Sequence, residues 1–199
     1  MRRAISAHIS PYQPISAHIG ARSPRLRVIA QVFEKDRPIQ KTSRRDRLSA
    51  AQQSVAMSRV KSRDTKPEIV LRSALHARGL RFRVHVSTMT GRPDIVLPRW
   101  QAAIFVHGCF WHGHACARGA LPSSNTKFWI DKIARNKARD AAQITELMEQ
   151  DWRVGTVWQC SLFGKECLGA TRAAGCIHEW LESNDNQLVL SGSSVDSSH

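Results

Sequence analysis

The sequence predicts a layered α/β or α+β domain. Three observations carry that class. Segments of helical and strand period follow one another as helix, helix, three strands, helix, strand, helix. Capping residues, Gly and Pro punctuate them, and 199 residues are enough for one core of about 150 residues plus a surplus.

Each element has its own warrant. Ser49 and Gln52 have capping-box spacing ahead of a basic helical stretch ending near Lys61. Thr65-Lys-Pro-Glu68 repeats that signal, and a helix from about Lys66 to Arg78 should stop at Gly79. Leu80, Phe82, Val84 and Val86 alternate with Arg81, Arg83 and His85, the period of a strand with a basic outer face. Gly91 to Pro93 marks a turn, and the apolar runs Ile95 to Leu97 and Ala102 to Val106, separated by Pro98-Arg-Trp100, predict a hairpin. Thr126 can cap a helix running to about Gln150. On it Trp129, Ile133, Asn136, Asp140, Ile144 and Leu147 share one face, so two polar groups sit in an apolar stripe. Arg153 to Trp158 reads as a strand, and Thr171 to Leu181 as a terminal helix.

The ends read differently. Residues 1–44 contain Pro11, Pro14 and Pro24, the near-duplicate Ile5-Ser-Ala-His-Ile9 and Ile15-Ser-Ala-His-Ile19, and nine basic against two acidic residues. They are expected to be a disordered basic arm or an over-extended start, and the Ser/Asn-rich residues 183–199 a disordered tail. The first 33 residues, with five Arg and no acid, also resemble an organellar transit peptide. The net charge is +14, and residues 45–182 alone hold 21 basic and 12 acidic residues. A basic globular part points to a polyanion, nucleic acid first. Five cysteines, none in the first 108 residues, argue against a disulfide framework and for a reducing compartment. No apolar run is long enough to span a membrane, and Met1 to Ser10 lacks a secretory h-region.

The chemistry concentrates in Val106-His-Gly-Cys-Phe-Trp-His-Gly-His-Ala-Cys116. Cys109, His114 and Cys116 offer thiolate and imidazole ligands within eight residues, and Cys160 could complete a tetrahedral zinc site. Cys167 and Cys176 lack such company and read as small buried hydrophobes. His107 and His112 remain. If the two apolar runs form a hairpin, Asp94 at its start and His107 at its end lie near one edge, and Glu68 and Asp140 could reach the same cleft. Three carboxylates and two imidazoles suit a magnesium-dependent phosphodiester hydrolase. Glu68 could instead only complete a capping box, and Asp140 could sit in a buried ion pair with an Arg. Phe110 and Trp111 read either as core or as a rigid wedge entering a base stack.

These segments carry a resemblance. Met57-Ser-Arg-Val-Lys-Ser-Arg-Asp-Thr-Lys-Pro-Glu68, Gly91-Arg-Pro-Asp-Ile-Val96, Phe105-Val-His-Gly-Cys-Phe-Trp-His112, Phe128-Trp129 to Asp140, and Trp152-Arg-Val to Trp158-Gln-Cys160 resemble the very short patch repair (Vsr) endonucleases of bacteria. The match runs in order through residues 45–182, the expected endonuclease domain. It implies a restriction-endonuclease-like fold, a central mixed sheet flanked by helices with a structural zinc site. It also implies a magnesium-dependent nick on the 5′ side of the thymine in a T·G mismatch left by 5-methylcytosine deamination. By the same resemblance Asp94 and the backbone carbonyl of Val106, where members often have Thr, would hold magnesium. His112 would activate water, with His107, Glu68 and Asp140 as companions. Cys109, His114, Cys116 and Cys160 would hold zinc, Phe110 and Trp111 would intercalate, and Met57 and Val60 would press on the minor groove. Gly113 and Ala115 depart from the His-rich loop of some members. The implied partner is mismatched double-stranded DNA, bound by a monomer in the bacterial cytoplasm, with mismatch-repair proteins as further contacts. Two alternatives stay open: a restriction-type enzyme cutting both strands, and a zinc-dependent DNA-binding module without catalysis.

Overall fold

The structure, a computed structural model, describes residues 63–165, 167–192 and 194–198. Its elements are α1 (Lys66–Ala77), β1 (Ile95–Leu97), β2 (Ala102–His107), α2 (Thr126–Glu149), β3 (Arg153–Trp158), the single turn α3 (Gln159–Leu162), α4 (Gly169–Glu182), β4 (Gln187–Ser191) and β5 (Ser194–Ser198). The strands form one sheet in the order β1-β2-β3-β4-β5. The outer pairs are antiparallel and the two inner pairs parallel. This is a mixed sheet flanked by helices, as the restriction-endonuclease-like expectation requires.

Alternation along the strands assigns the two faces. Ile95, Ile104, Val157, Leu188 and Leu190 face α1 and α4, where Leu71, Leu75, Ile177, Trp180 and Leu181 complete the larger core. Ala103, Phe105 and Val154 face α2 and meet Ile144 and Leu147. Each fully buried Leu or Ile contributes about 1.5–3 kcal/mol, so both layers are held mainly by apolar burial.

The helices start and stop for the reasons their sequences suggest. In α1, Pro67 occupies the first turn, and the chain leaves the helix through Gly79 at φ +81°. Glu68 reaches back to accept the Asp64 N–H at 3.0 Å and the Thr65 hydroxyl at 2.6 Å. For α2 the capping position falls on Asn125 at φ +51°, and Thr126 becomes the first helical residue.

Two expectations are corrected. Leu80 to Val86 is not a strand: apart from one antiparallel bridge between Arg83 and Val96, it is irregular. Alternation alone buries Leu80 and Phe82 on the larger core, but His85 at φ +56° breaks extended geometry, and three-residue β1 offers little edge to pair with. The described residues of 183–199 are not a disordered tail either. Gln187–Ser191 pairs in parallel with β3 and buries Leu188, Val189 and Leu190 between the layers. The stretch 49–61, with Met57 and Val60, and the arm 1–44 lie outside the described residues.

Candidate active site

The hairpin register gathers the acidic and imidazole groups. Ile95 pairs with Ile104, which sets Asp94 opposite Phe105, two residues from His107. By strand alternation Asp94, Phe105 and His107 all lie on the α2 side of the sheet. Asp140 comes down to meet them because it occupies the buried stripe of α2 between Ile133 and Ile144. A cleft of about 820 Å³ opens here, lined by Glu68, Asp94, Val106, His107, Trp111, His112 and Asp140, with Arg63, Arg92, Lys132 and Arg139 at its wall.

At its floor His112 Nδ1 lies 2.5 Å from Asp140 Oδ2, while Arg139 donates to Oδ1 at 3.3 Å. Asp140 thus has both partners at once, an imidazole and an Arg. Burial pushes its pKa up, but the His112 hydrogen bond and nearby positive charge outweigh that and hold it below the usual value. An ionised carboxylate only accepts, so the proton of this bond sits on His112 Nδ1, the tautomer that in a neutral ring leaves the Nε2 lone pair available. His107 stacks on His112, ring centroids 3.9 Å apart and planes 5° from parallel. Burial, then the His112 ring, pushes its pKa down to about 3, so it is neutral near pH 7. Its Nδ1 is buried without a partner among the described residues.

Asp94 is half-buried. Its Oδ2 accepts the Val106 N–H at 2.7 Å, and burial, only partly offset by that bond, pushes its pKa up to about 6. This chemistry sorts the candidate ligands. His107, His112 and Asp140 bring potential donor atoms within 4.8 Å of one another. Both Asp140 oxygens are already engaged, however, and imidazole is a poor ligand for a hard cation. Asp94 keeps an oxygen that accepts no hydrogen bond among the described residues, so an oxygen-seeking cation fits Asp94 better.

Beside the cleft, Cys109, His114, Cys116 and Cys160 bring one ligand atom each within 4.8 Å of one another. Cys160 Sγ is 3.6 Å from His114 Nδ1. Zinc bonds of about 2.3 Å to sulfur and about 2.0 Å to nitrogen imply a tetrahedral S–N edge of about 3.5 Å, close to the observed separation, so the set fits zinc. The Cys109 thiol is pushed up by the neighbouring Cys160 sulfur. Cys160 is pulled down by Cys109, against its own burial, with help from His114 and the Gly192 N–H at 3.3 Å. Such polarisation readies a thiolate. Cys167 and Cys176 are only half-buried, short of the buried hydrophobes the sequence suggests.

Between the two clusters the loop is packed on α2. Asn136 Nδ2 donates to the Trp111 carbonyl at 2.9 Å. Gly113 has φ +65°, and a Cβ there would lie 2.5 Å from Ile133 Cγ2, so the departure from a His-rich loop is what this close approach needs. Phe110 and Trp111 are half-buried, edge-on to Trp129 at 5.1 and 6.1 Å, and Lys132 Nζ sits 5.4 Å from the Trp111 ring centre. They are neither sealed core nor free-standing.

Comparison with known proteins bears on this arrangement. The model of the family DNA mismatch endonuclease Vsr matches residues 45–118. The type II nicking enzyme V.XorIIP of Xanthomonas oryzae is 48% identical over 117 residues, 59% of this chain and 86% of the relative. DNA mismatch endonuclease Vsr of Escherichia coli K12 is 41% identical over 131 residues, 66% of this chain and 84% of the relative. This chain belongs to the Vsr family. V.NmeAIP of Neisseria meningitidis, another type II nicking enzyme, is 41% identical over 120 residues, 60% of this chain and 86% of the relative.

For this Vsr-family chain, sequence reasoning missed three things. Arg72 bridges Asp64, Glu68 and the Asp94 backbone, and Asn136 ties the aromatic loop to α2. Asn136 was visible as a polar break in an apolar stripe, but its partner was not. The third is Gly192, whose N–H reaches Cys160 from the turn after β4. No helix among the described residues is long and apolar enough to cross a membrane.

Proposed function

We propose that this chain is a mismatch-specific endonuclease that nicks one strand of double-stranded DNA on the 5′ side of the thymine in a T·G mismatch. The observation that carries the reading is the pair His112–Asp140, 2.5 Å apart in a cleft that also holds Asp94 and is edged by cations and Trp111. Asp94 and the Val106 backbone carbonyl would hold magnesium, which when bound supplies a Lewis acid for the scissile phosphate. Asp140 fixes the His112 ring and its tautomer, so Nε2 can take a proton from the attacking water. Neutral His107 buttresses that ring by stacking and can hydrogen-bond without adding charge. Glu68 adds a second negative charge near Asp94.

Cys109, His114, Cys116 and Cys160 would hold a structural zinc that stiffens the loop bearing Phe110 and Trp111. A stiff aromatic pair can test a base step, because unstacking costs a few kcal/mol and less at a mismatch. Met57 and Val60 would press on the minor groove of the duplex. We assign the endonuclease unit to residues 45–182 together with the strands that follow, and residues 1–44 to a basic arm outside it. A monomer acting in the cytoplasm, with mismatch-repair proteins as contacts, completes the assignment.

The test is nicking of T·G and fully paired oligonucleotides, with and without magnesium, by the full chain and by Asp94→Ala. The expected result is one nick, on the T·G duplex only, requiring magnesium and lost in Asp94→Ala while binding persists. Cutting of both strands of paired DNA, or binding without any nick, would overturn the assignment.

A further inference from the structure

Arg72 lies one turn after Glu68 on α1, with 12% of its side chain exposed. Both terminal nitrogens are committed. Nη1 donates to Asp64 Oδ1 at 2.6 Å, while Nη2 donates to Glu68 Oε2 at 3.0 Å and to the backbone carbonyl of Asp94 at 3.0 Å. The last bond spans 22 residues of sequence and joins a helix to the peptide immediately before β1.

That peptide needs an anchor. Ladder pairing of β1 begins at Ile95, and the two residues before Pro93 both have positive φ, +71° at Gly91 and +50° at Arg92. Backbone entering from such a turn is not held by strand geometry. Asp94 is instead held at two points: its carboxylate by the Val106 N–H of β2 and its carbonyl by Arg72 of α1. A guanidinium suits the second task because its planar fork serves several acceptors in fixed directions, which a lysine cannot.

We propose that Arg72 is a positioning residue, whose grip on the Asp94 backbone sets the place and direction of the carboxylate offered to a divalent cation. The proposal rests on Asp94 being the cation ligand. The competing account is that Arg72 acts only through its charge, on Glu68 and on Asp94, in which case Arg72→Lys should restore wild-type behaviour in full.

The experiment uses the full chain as wild type, Arg72→Met, Arg72→Lys, Arg78→Met and Asp94→Ala. Arg78→Met is the structural control, since it removes another tie of α1, the Arg78 Nη2 bond to the Thr171 carbonyl at 3.4 Å. Two quantities are read: deuterium exchange of amides 91–97, without magnesium, and the magnesium concentration giving half-maximal single-turnover nicking of a T·G duplex. Groups that orient a metal ligand typically matter by about 10–100-fold in metal affinity. Arg72→Met should therefore raise the half-saturating magnesium by at least about 10-fold, with the plateau rate changed far less, and should speed exchange at 91–97. Arg72→Lys, which keeps the charge, should recover only part of either effect. Arg78→Met should change neither. Unchanged magnesium dependence in folded Arg72→Met overturns the proposal, as does full rescue by Arg72→Lys or an equal effect of Arg78→Met. If Arg72→Met does not fold, Arg72→Lys decides alone: wild-type behaviour in both readouts overturns the proposal, and partial loss supports it. Magnesium-dependent nicking by Asp94→Ala would instead remove the cation assignment itself, and the exchange result would still report on the grip.

Discussion

At Asp140 a single hydrogen bond decides which imidazole nitrogen is basic. Asp140→Asn keeps the size but removes the charge, and its amide can donate to Nδ1 and favour the wrong tautomer. The expected outcome is a roughly 10³-fold loss of single-turnover nicking rate with duplex affinity unchanged, by analogy with other carboxylate-oriented histidines. Rates within a few-fold of wild type would contradict the role given to His112. Asp94 yields a second prediction. Its carboxyl titrates near 3.8 when unfolded and at about 6 when folded. Between those values the folded state binds more protons, so stability falls as pH rises, and the penalty is complete above about pH 6. Without added magnesium, Asp94→Asn should be more stable than wild type at pH 8 by up to about 3 kcal/mol, the gap closing by pH 4. Urea melts at both pH values check it. A constant gap would place the effect elsewhere. At this scale the sequence showed most of the candidate residues but few of their partners. Glu68 turned out to be a helix-start acceptor and a cleft residue together, and Arg72, in an otherwise ordinary helix, carried no local signal, because its significance lies in contacts across the fold.

Elements were legible where period and punctuation agreed. The stripe of α2 and the Gly79 stop of α1 are both realised, since each depends on local geometry that tertiary context reinforces. Leu80 to Val86 had the period of a strand but lacked a partner, and period without a partner buries side chains without building a ladder. The reverse failure is β4. Gln187-Leu-Val-Leu-Ser191 is a short apolar run inside a Ser/Asn-rich segment, so averaged composition hid a strand that β3 recruits by parallel pairing. Its importance is measurable. Leu190 is fully buried between the sheet and the helices, and Leu190→Ala should cost about 2–5 kcal/mol in urea denaturation. A change within about 0.5 kcal/mol would restore the view of this segment as a dispensable tail. The same hairpin supplies Gly192 to the cysteine cluster, so losing β4 should also loosen that site.

Over the whole molecule, charge and shape make separable contributions to recognition. The +14 surplus alone predicts attraction to any duplex, whereas the half-buried aromatic pair beside the cleft predicts discrimination that does not depend on ions. Each phosphate neutralised contributes about −0.9 to the slope of log affinity against log salt. Four cations at the cleft wall, Arg63, Arg92, Lys132 and Arg139, therefore set a slope of at least about −3 to −4 for the full chain. T·G and fully paired duplexes should share that slope, leaving the gap between their affinities constant from low to high salt. Arg92→Gln, at an exposed position, should make both slopes shallower by about 1 without altering the gap. Fluorescence anisotropy titrations over a salt series measure all of these quantities. If the gap between mismatched and paired DNA collapses as salt rises, discrimination is ionic, and the role given to Phe110 and Trp111 fails with it.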